Sequence, residues 1–248
     1  MPVLHLPYAL VGHRGAMAES PENTLASFRL AEKIGVHELE FDIRLSADGI
    51  AIVLHDATLD RTASEESGRG LGPVAELPYE RIAAVDVGVG EKVPTFEEVL
   101  DATTVTLQVE IKAVDAVPEV ARIVASRPYD ARRIRFTSFL PDALLRLRQL
   151  APDVPRGLIT VGYPDAERHT GGIEEVLVET AASALYSGWD GLTRDVVRGL
   201  QDTGYEVGAW PVRGVDDVRI GLAWGLVSGT VDDPRAAREW LAEARQVV

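Results

Sequence analysis

Short apolar runs alternate along this chain with segments of helical period. Runs of four to eight residues rich in Val, Ile and Leu read as strands: Ala9–Gly12, His37–Ile43, Thr106–Ile111, Ile134–Ser138, Arg156–Ile159, Ala184–Ser187, Tyr205–Trp210 and Leu226–Val231. Between them the apolar positions recur at three and four residues. That pattern predicts helices over Thr24–Ile34, Ala116–Ser126, Pro141–Leu150, Ile173–Thr180, Thr193–Thr203, Val215–Trp224 and Pro234–Arg245. Strands without a polar face, alternating with helices, imply a parallel sheet with crossover helices.

Eight such strands in 248 residues predict an α/β fold closed as a (β/α)8 barrel of the TIM type, with residues 1–248 as one domain. A dinucleotide-binding glycine fingerprint would follow the first strand, but Gly12-His13-Arg14-Gly15 stands there instead. One segment breaks the alternation. About 60 residues separate the second and third barrel strands, far more than the usual connection. Asp48-Gly49 signals a turn, Ile50–Leu54 reads as an extra strand, Ser67–Pro73 is glycine-rich, and a short helix is expected near Thr95–Leu100. The segment, about residues 47–100, reads as a long inserted loop over the barrel mouth.

Composition narrows the chemistry. There is no cysteine, so thiol nucleophiles, thiolate metal sites and disulfides are excluded. Net charge is −14, which repels nucleic acid and anionic lipid as bulk partners and requires a locally positive pocket for any anionic substrate. Met1–Leu10 carries no signal-peptide pattern, and no run approaches the ~20 apolar residues of a membrane span. A cytoplasmic protein without stable membrane association is the expectation.

Glu40 and Asp42 lie two apart on an apolar strand, so their side chains share one face. Two carboxylates buried side by side repel, and a hard divalent cation relieves the conflict. Oxygen ligands suit Mg²⁺, Ca²⁺ or Mn²⁺ rather than zinc. An exposed edge or an ion pair with Arg44 is the structural alternative. Glu110 and Lys112 repeat the spacing on the next strand: Glu110 can complete a three-carboxylate site and Lys112 can meet a phosphate, or the two form a pair at a strand end. His13 and Arg14 end the first strand, where an imidazole suits proton transfer and a guanidinium suits phosphate; a surface loop explains them equally. His55-Asp56 ends the extra strand and offers a second imidazole, with Asp56 orienting its ring or capping the turn. Asn23 or Thr24 caps a helix. Trp210 and Asp232 end the seventh and eighth strands, with Trp210 a candidate wall of the pocket. His5 and His169 carry no charged constellation and His37 starts a strand at the opposite end of the barrel, so all three read as solvated loop residues, and Trp189, Trp224 and Trp240 read as packing.

Taken in order, His13-Arg14-Gly15, Pro21-Glu22-Asn23-Thr24, Glu40-x-Asp42, Asp48-Gly49, His55-Asp56-x-x-Leu59-x-Arg61-Thr62 and Glu110-Ile111-Lys112 resemble the glycerophosphodiester phosphodiesterases. Thr137-Ser138-Phe139, Trp210-Pro211-Val212 and Asp232-Asp233-Pro234 extend the resemblance to about residue 234. It implies a TIM barrel that hydrolyses small-molecule glycerophosphodiesters to glycerol 3-phosphate and an alcohol. It further implies His13 and His55 as the acid–base pair, Glu40, Asp42 and Glu110 as metal ligands, and Arg14 and Lys112 as phosphate contacts, with Trp210 on the substrate side. The sequence departs from the family pattern at Pro211 and Arg213, where Thr and Asn are usual, and at Ala63, where a second Thr is usual. The attacking group is either water or the substrate's own 2-hydroxyl. A lysophospholipase D or sphingomyelinase D relative, and a non-catalytic phosphate-binding barrel, are the other functions such a chain could serve.

Overall fold

The computed structural model describes residues 8–64, 66–165 and 172–246. His5 and His169 lie outside the described residues. Among the described residues the strands are β1 (Ala9–His13), β2 (Glu38–Leu45), β3 (Ala51–Val53), β4 (Thr106–Ile111), β5 (Ile134–Ser138), β6 (Arg156–Gly162), β7 (Ala184–Asp190), β8 (Glu206–Ala209) and β9 (Ser228–Val231). Hydrogen bonding runs β1-β9-β8-β7-β6-β5-β4-β2, and β1 also pairs with β2. Eight parallel strands therefore close a TIM barrel, with β3 hung antiparallel on the outer length of β2.

The helices are α1 (Leu25–Ile34), α2 (Tyr79–Ala83), α3 (Phe96–Ala102), α4 (Val117–Ser126), α5 (Pro141–Leu150), α6 (Ile173–Thr180), α7 (Arg194–Asp202), α8 (Val215–Trp224) and α9 (Pro234–Arg245). Apolar period two on the strands faces this helical layer. On β2, Leu39, Phe41 and Ile43 are fully buried, and the Phe41 ring packs between Phe28 of α1 and Phe96 of α3 at 5.5 and 6.0 Å. The alternate positions, Glu38, Glu40 and Asp42, are left to the barrel interior.

Several element ends differ from the hydrophobic pattern for local reasons. Thr24, rather than Asn23, caps α1 by accepting from the Ser27 amide at 3.2 Å. β9 starts at Ser228, two residues later than the apolar run, because the Leu226 amide is taken by the Gly221 carbonyl at the end of α8. Hydrogen bonding between β6 and β7 continues to Gly162 and Asp190, so both strands outrun their predicted ends.

The segment between β2 and β4 is more folded than an open loop. Ile52, Leu59, Val74, Ile82, Val85 and Val93 form part of a second apolar cluster; the helix expected near Thr95–Leu100 is α3, and α2 adds one at Tyr79–Ala83 that was not expected. Five residues are too few for a clear period of 3.6. Thr95 and Glu98 make a reciprocal capping box at the start of α3, each side chain bonding the other's backbone amide.

Candidate active site

The strand register sets the geometry. Across the barrel wall His13 pairs with Glu40 and Glu40 with Gln108; one step up, Asp42 pairs with Glu110 and Glu110 with Thr137. In a parallel ladder such partners point to the same face. The side chains of β1, β2 and β4 therefore meet inside the barrel at its C-terminal end, where TIM barrels present their loops.

Glu40, Asp42 and Glu110 converge. One oxygen from each lies within 4.8 Å of the others, and all three residues are buried, Asp42 to 1% exposure. The positive groups beside them are Arg14, whose Nε is 3.2 Å from Asp42 Oδ2, and Lys112, whose Nζ is 2.7 Å from Glu110 Oε1 and 3.5 Å from Asp42 Oδ1. Asn23 Nδ2 donates to Asp42 Oδ2 at 2.8 Å, and the Arg14 amide donates to Glu40 Oε2 at 3.1 Å. The expected alternative for the pair, Arg44, goes elsewhere: its Nε donates to the His55 carbonyl at 2.8 Å.

The turn after β1 makes this possible. Arg14 and Asn23 have φ of 50° and 57°, and Gly15 of 90°. A left-handed Arg is uncommon and is held by its surroundings. A Cβ at Gly15 would fall 2.8 Å from the Ser27 Cβ, so only glycine lets this turn lie against α1.

Burial and mutual repulsion split the three acids. Burial raises Glu40 well above the ordinary carboxylate range, and the charges of Asp42 and Glu110 add to that. Burial, with the Asp42 charge, raises Glu110 to about 7. Burial opposes ionisation of Asp42 too, but Lys112, Arg14 and His55 outweigh it and keep this carboxyl below its usual value.

The two histidines enter from different elements. His13 ends β1; its Nδ1 lies 2.6 Å from Asp232 Oδ1 and its Nε2 4.0 Å from Glu40 Oε2. His55 follows β3, and its Nδ1 lies 2.6 Å from Asp56 Oδ1. Burial lowers the His55 pKa, partly offset by the Asp42 charge and the Asp56 bond. Both imidazoles, with Arg14, Glu40, Glu110 and Lys112, line one cavity of about 140 Å³. Its other side is Phe139, Ile159, Tyr186 and Trp210, with the Trp210 ring edge-on to Phe139 at 5.6 Å. Trp210 is held from behind, its indole Nε1 donating to the Thr160 carbonyl at 3.1 Å. Trp189 and Trp224 pack on one another at 6.3 Å, away from this wall.

A model of the glycerophosphoryl diester phosphodiesterase family matches residues 13–236. The chain belongs to that family. The glycerophosphodiester phosphodiesterase of Caldanaerobacter subterraneus subsp. tengcongensis is 27% identical over 242 residues, covering 91% of this chain and 94% of that protein. The one from Bacillus subtilis strain 168 is 29% identical over 244 residues, covering 87% and 80%. Among solved structures, a Silicibacter pomeroyi DSS-3 protein superposes with a TM-score of 0.84 at 27% identity, over 95% of this chain and 93% of that one. The Thermotoga maritima glycerophosphodiester phosphodiesterase shares the fold with a TM-score of 0.75 at 22% identity, over 94% and 97%.

The structure brings His13, His55, Arg14, Lys112, Trp210, Glu40 and Glu110 to one cavity, with Asp42 buried against its rim charges. Residue-by-residue reading overlooked several neighbours. Gln108 lies two before Glu110 and so shares its face, a signal that was present in the spacing. Its Nε2 donates to Glu38 at 2.6 Å, and Arg135 reaches both Glu206, at 2.7 Å, and the Tyr186 hydroxyl. The barrel floor is thus polar.

Proposed function

We propose that this chain hydrolyses glycerophosphodiesters to glycerol 3-phosphate and an alcohol, using a divalent ion and the two histidines of the cavity. The observation that carries the reading is the meeting, in one cavity of a family member, of an acidic triad and two imidazoles, each tied through Nδ1 to a carboxylate. Relatives named glycerophosphodiester phosphodiesterase support the substrate class.

The triad fits a hard cation. Its donors are all carboxylate oxygens, their charges repel, and Asp42 Oδ1 is buried without a hydrogen-bond donor. Glu40, Asp42 and Glu110 would hold Mg²⁺, Ca²⁺ or Mn²⁺, which when bound neutralises charge on the phosphodiester oxygens. Arg14 and Lys112 keep Asp42 ionised and present positive charge to the phosphate. Burial keeps His55 neutral near pH 7, which suits it to accept the proton of the attacking hydroxyl. His13 then protonates the departing alkoxide. Phe139, Ile159 and Trp210 give the carbon skeleton an apolar wall. A cavity of about 140 Å³ with a charged side suits a small diester better than a lysolipid.

We further propose that residues 1–248 work as one domain in the cytoplasm. One closed sheet supports the single domain, and no described helix is long and apolar enough to cross a membrane.

The test is a panel of glycerophosphodiesters assayed for released glycerol 3-phosphate, with EDTA and after restoring Mg²⁺, Ca²⁺ or Mn²⁺. Turnover lost to EDTA and regained with an ion is expected. Phosphate binding without turnover on any diester would instead identify a non-catalytic barrel.

A further inference from the structure

The connection after β1 and the one after β3 are joined by a run of charges that the reaction as described does not use. Arg61 stands at its centre. Its Nε donates to Asp56 Oδ2 at 2.6 Å, and its two terminal nitrogens donate to the two oxygens of Glu22, each at 2.7 Å. Glu22 Oε1 also accepts from Arg14 at 2.9 Å. Asp56 Oδ1 meets His55 Nδ1 at 2.6 Å. An unbroken path, His55–Asp56–Arg61–Glu22–Arg14, therefore links an imidazole of the cavity to the guanidinium beside Asp42.

An exposed ion pair of ordinary geometry contributes little to stability. This one is different in form. Arg61 grips two carboxylates at once, and the Glu22 side chain is only 12% exposed. A fork of this kind fixes direction as well as distance. Asp56 has both oxygens occupied, one by Arg61 and one by His55, so its carboxylate cannot turn away from the ring. Burial opposes the Asp56 charge, yet the bonds from Arg61 and His55 hold its pKa at about 2. An ionised Asp56 keeps the proton of His55 on Nδ1 and leaves the Nε2 lone pair as the group that exchanges protons.

We propose that Glu22 and Arg61 are positioning residues: they lock Asp56 against His55 Nδ1 and thereby set the tautomer and direction of the His55 ring. The inference rests on the reading that His55 takes a proton in the reaction. The motif residues Glu22 and Arg61, which sequence comparison alone left without a task, acquire one.

The test uses the full chain in Mg²⁺ buffer at pH 8, with ¹⁵N-labelled histidine and steady-state kinetics on a glycerophosphodiester. The His55 resonances are identified by their loss in His55→Ala. In the parent protein they should show the neutral, Nδ1-protonated form. In Arg61→Gln and Glu22→Gln they should move toward a mixture of tautomers, while kcat falls ~10–100-fold and KM changes by less than ~2-fold. Arg61→Lys keeps the charge without the fork and should lie between. Unchanged His55 resonances in Arg61→Gln or Glu22→Gln would overturn the proposal whatever the turnover. Should Arg61→Gln fail to fold, Glu22→Gln and Arg61→Lys give the same reading. Full activity in His55→Ala would sink the role of His55 in the reaction, and the resonances would still report on the clamp.

Discussion

Asp42 shows how much a single carboxyl depends on its neighbours. Alone at 1% exposure it would be costly to ionise, but Lys112, Arg14 and Asn23 surround it with positive charge and a donor. Glu40 and Glu110, less well compensated, sit above the ordinary range, and a shared cation would draw both back to the charged form. His13 and His55 were legible as candidates because each ends an apolar run beside a charged residue. Their partners were only half legible: Asp56 is adjacent in sequence to His55, whereas Asp232 lies 219 residues from His13. His13→Ala and His55→Ala should each lower kcat by ~10²–10⁴-fold in the glycerol 3-phosphate assay; near-normal turnover in either removes that ring from the mechanism. His37, at the other end of β2, has a structural task. Its Nδ1 accepts from the Leu10 amide at 2.9 Å, and burial, with Arg245 and Arg238 nearby, lowers its pKa below the ordinary 6.5. The unfolded chain then binds the proton first as pH falls, so this contribution is whole above pH 6.5 and declines below it. Urea denaturation should show the parent's stability relative to His37→Asn shrinking between pH 7.5 and about 5; a constant difference would contradict this.

At the scale of elements, β2 carries two messages in one run of eight residues. Its odd positions, Leu39, Phe41 and Ile43, build the layer under α1 and α3, and its even positions, Glu40 and Asp42, build the site. Period two made both legible without coordinates. Because Phe41 touches Phe28 and Phe96, it anchors the strand to two helices at once. Phe41→Ala should cost ~3–5 kcal/mol, seen as a lower urea midpoint, and should weaken the site it backs; a loss under ~1 kcal/mol would mean the ring is not central to the core. The segment between β2 and β4 was only partly legible. Its turn, extra strand and last helix carry local signals, but its apolar residues are spread too widely to announce a cluster of their own. They meet because the segment folds back on β2 and α3, which no local period records.

At the scale of the molecule, closure of the barrel brings side chains of three separate strands to one cavity. The carboxyl groups of Glu40, Asp42 and Glu110, up to 70 residues apart in sequence, converge only in the folded chain, so a divalent ion held by them, as proposed, should bind the native state and not the unfolded one. The melting temperature should rise with Mg²⁺, Ca²⁺ or Mn²⁺, by an amount equivalent to ~2.7 kcal/mol at a hundred times Kd. Glu110→Gln should abolish most of that rise, and an equal shift in parent and variant would place the ion elsewhere. The chain by itself determined the alternation of strands and helices, the face on which each acid lies, and the order of the motifs, because periodicity and local chemistry are written in consecutive residues. Only the tertiary structure decided which residues meet. The hydrogen-bond register of β1, β2 and β4 set His13 beside Glu40 and Asp42 beside Glu110. The bend of two loops brought Arg61 onto Glu22, 39 residues away. Contacts of that range depend on strand pairing and side-chain direction together, and neither is a property of any one segment.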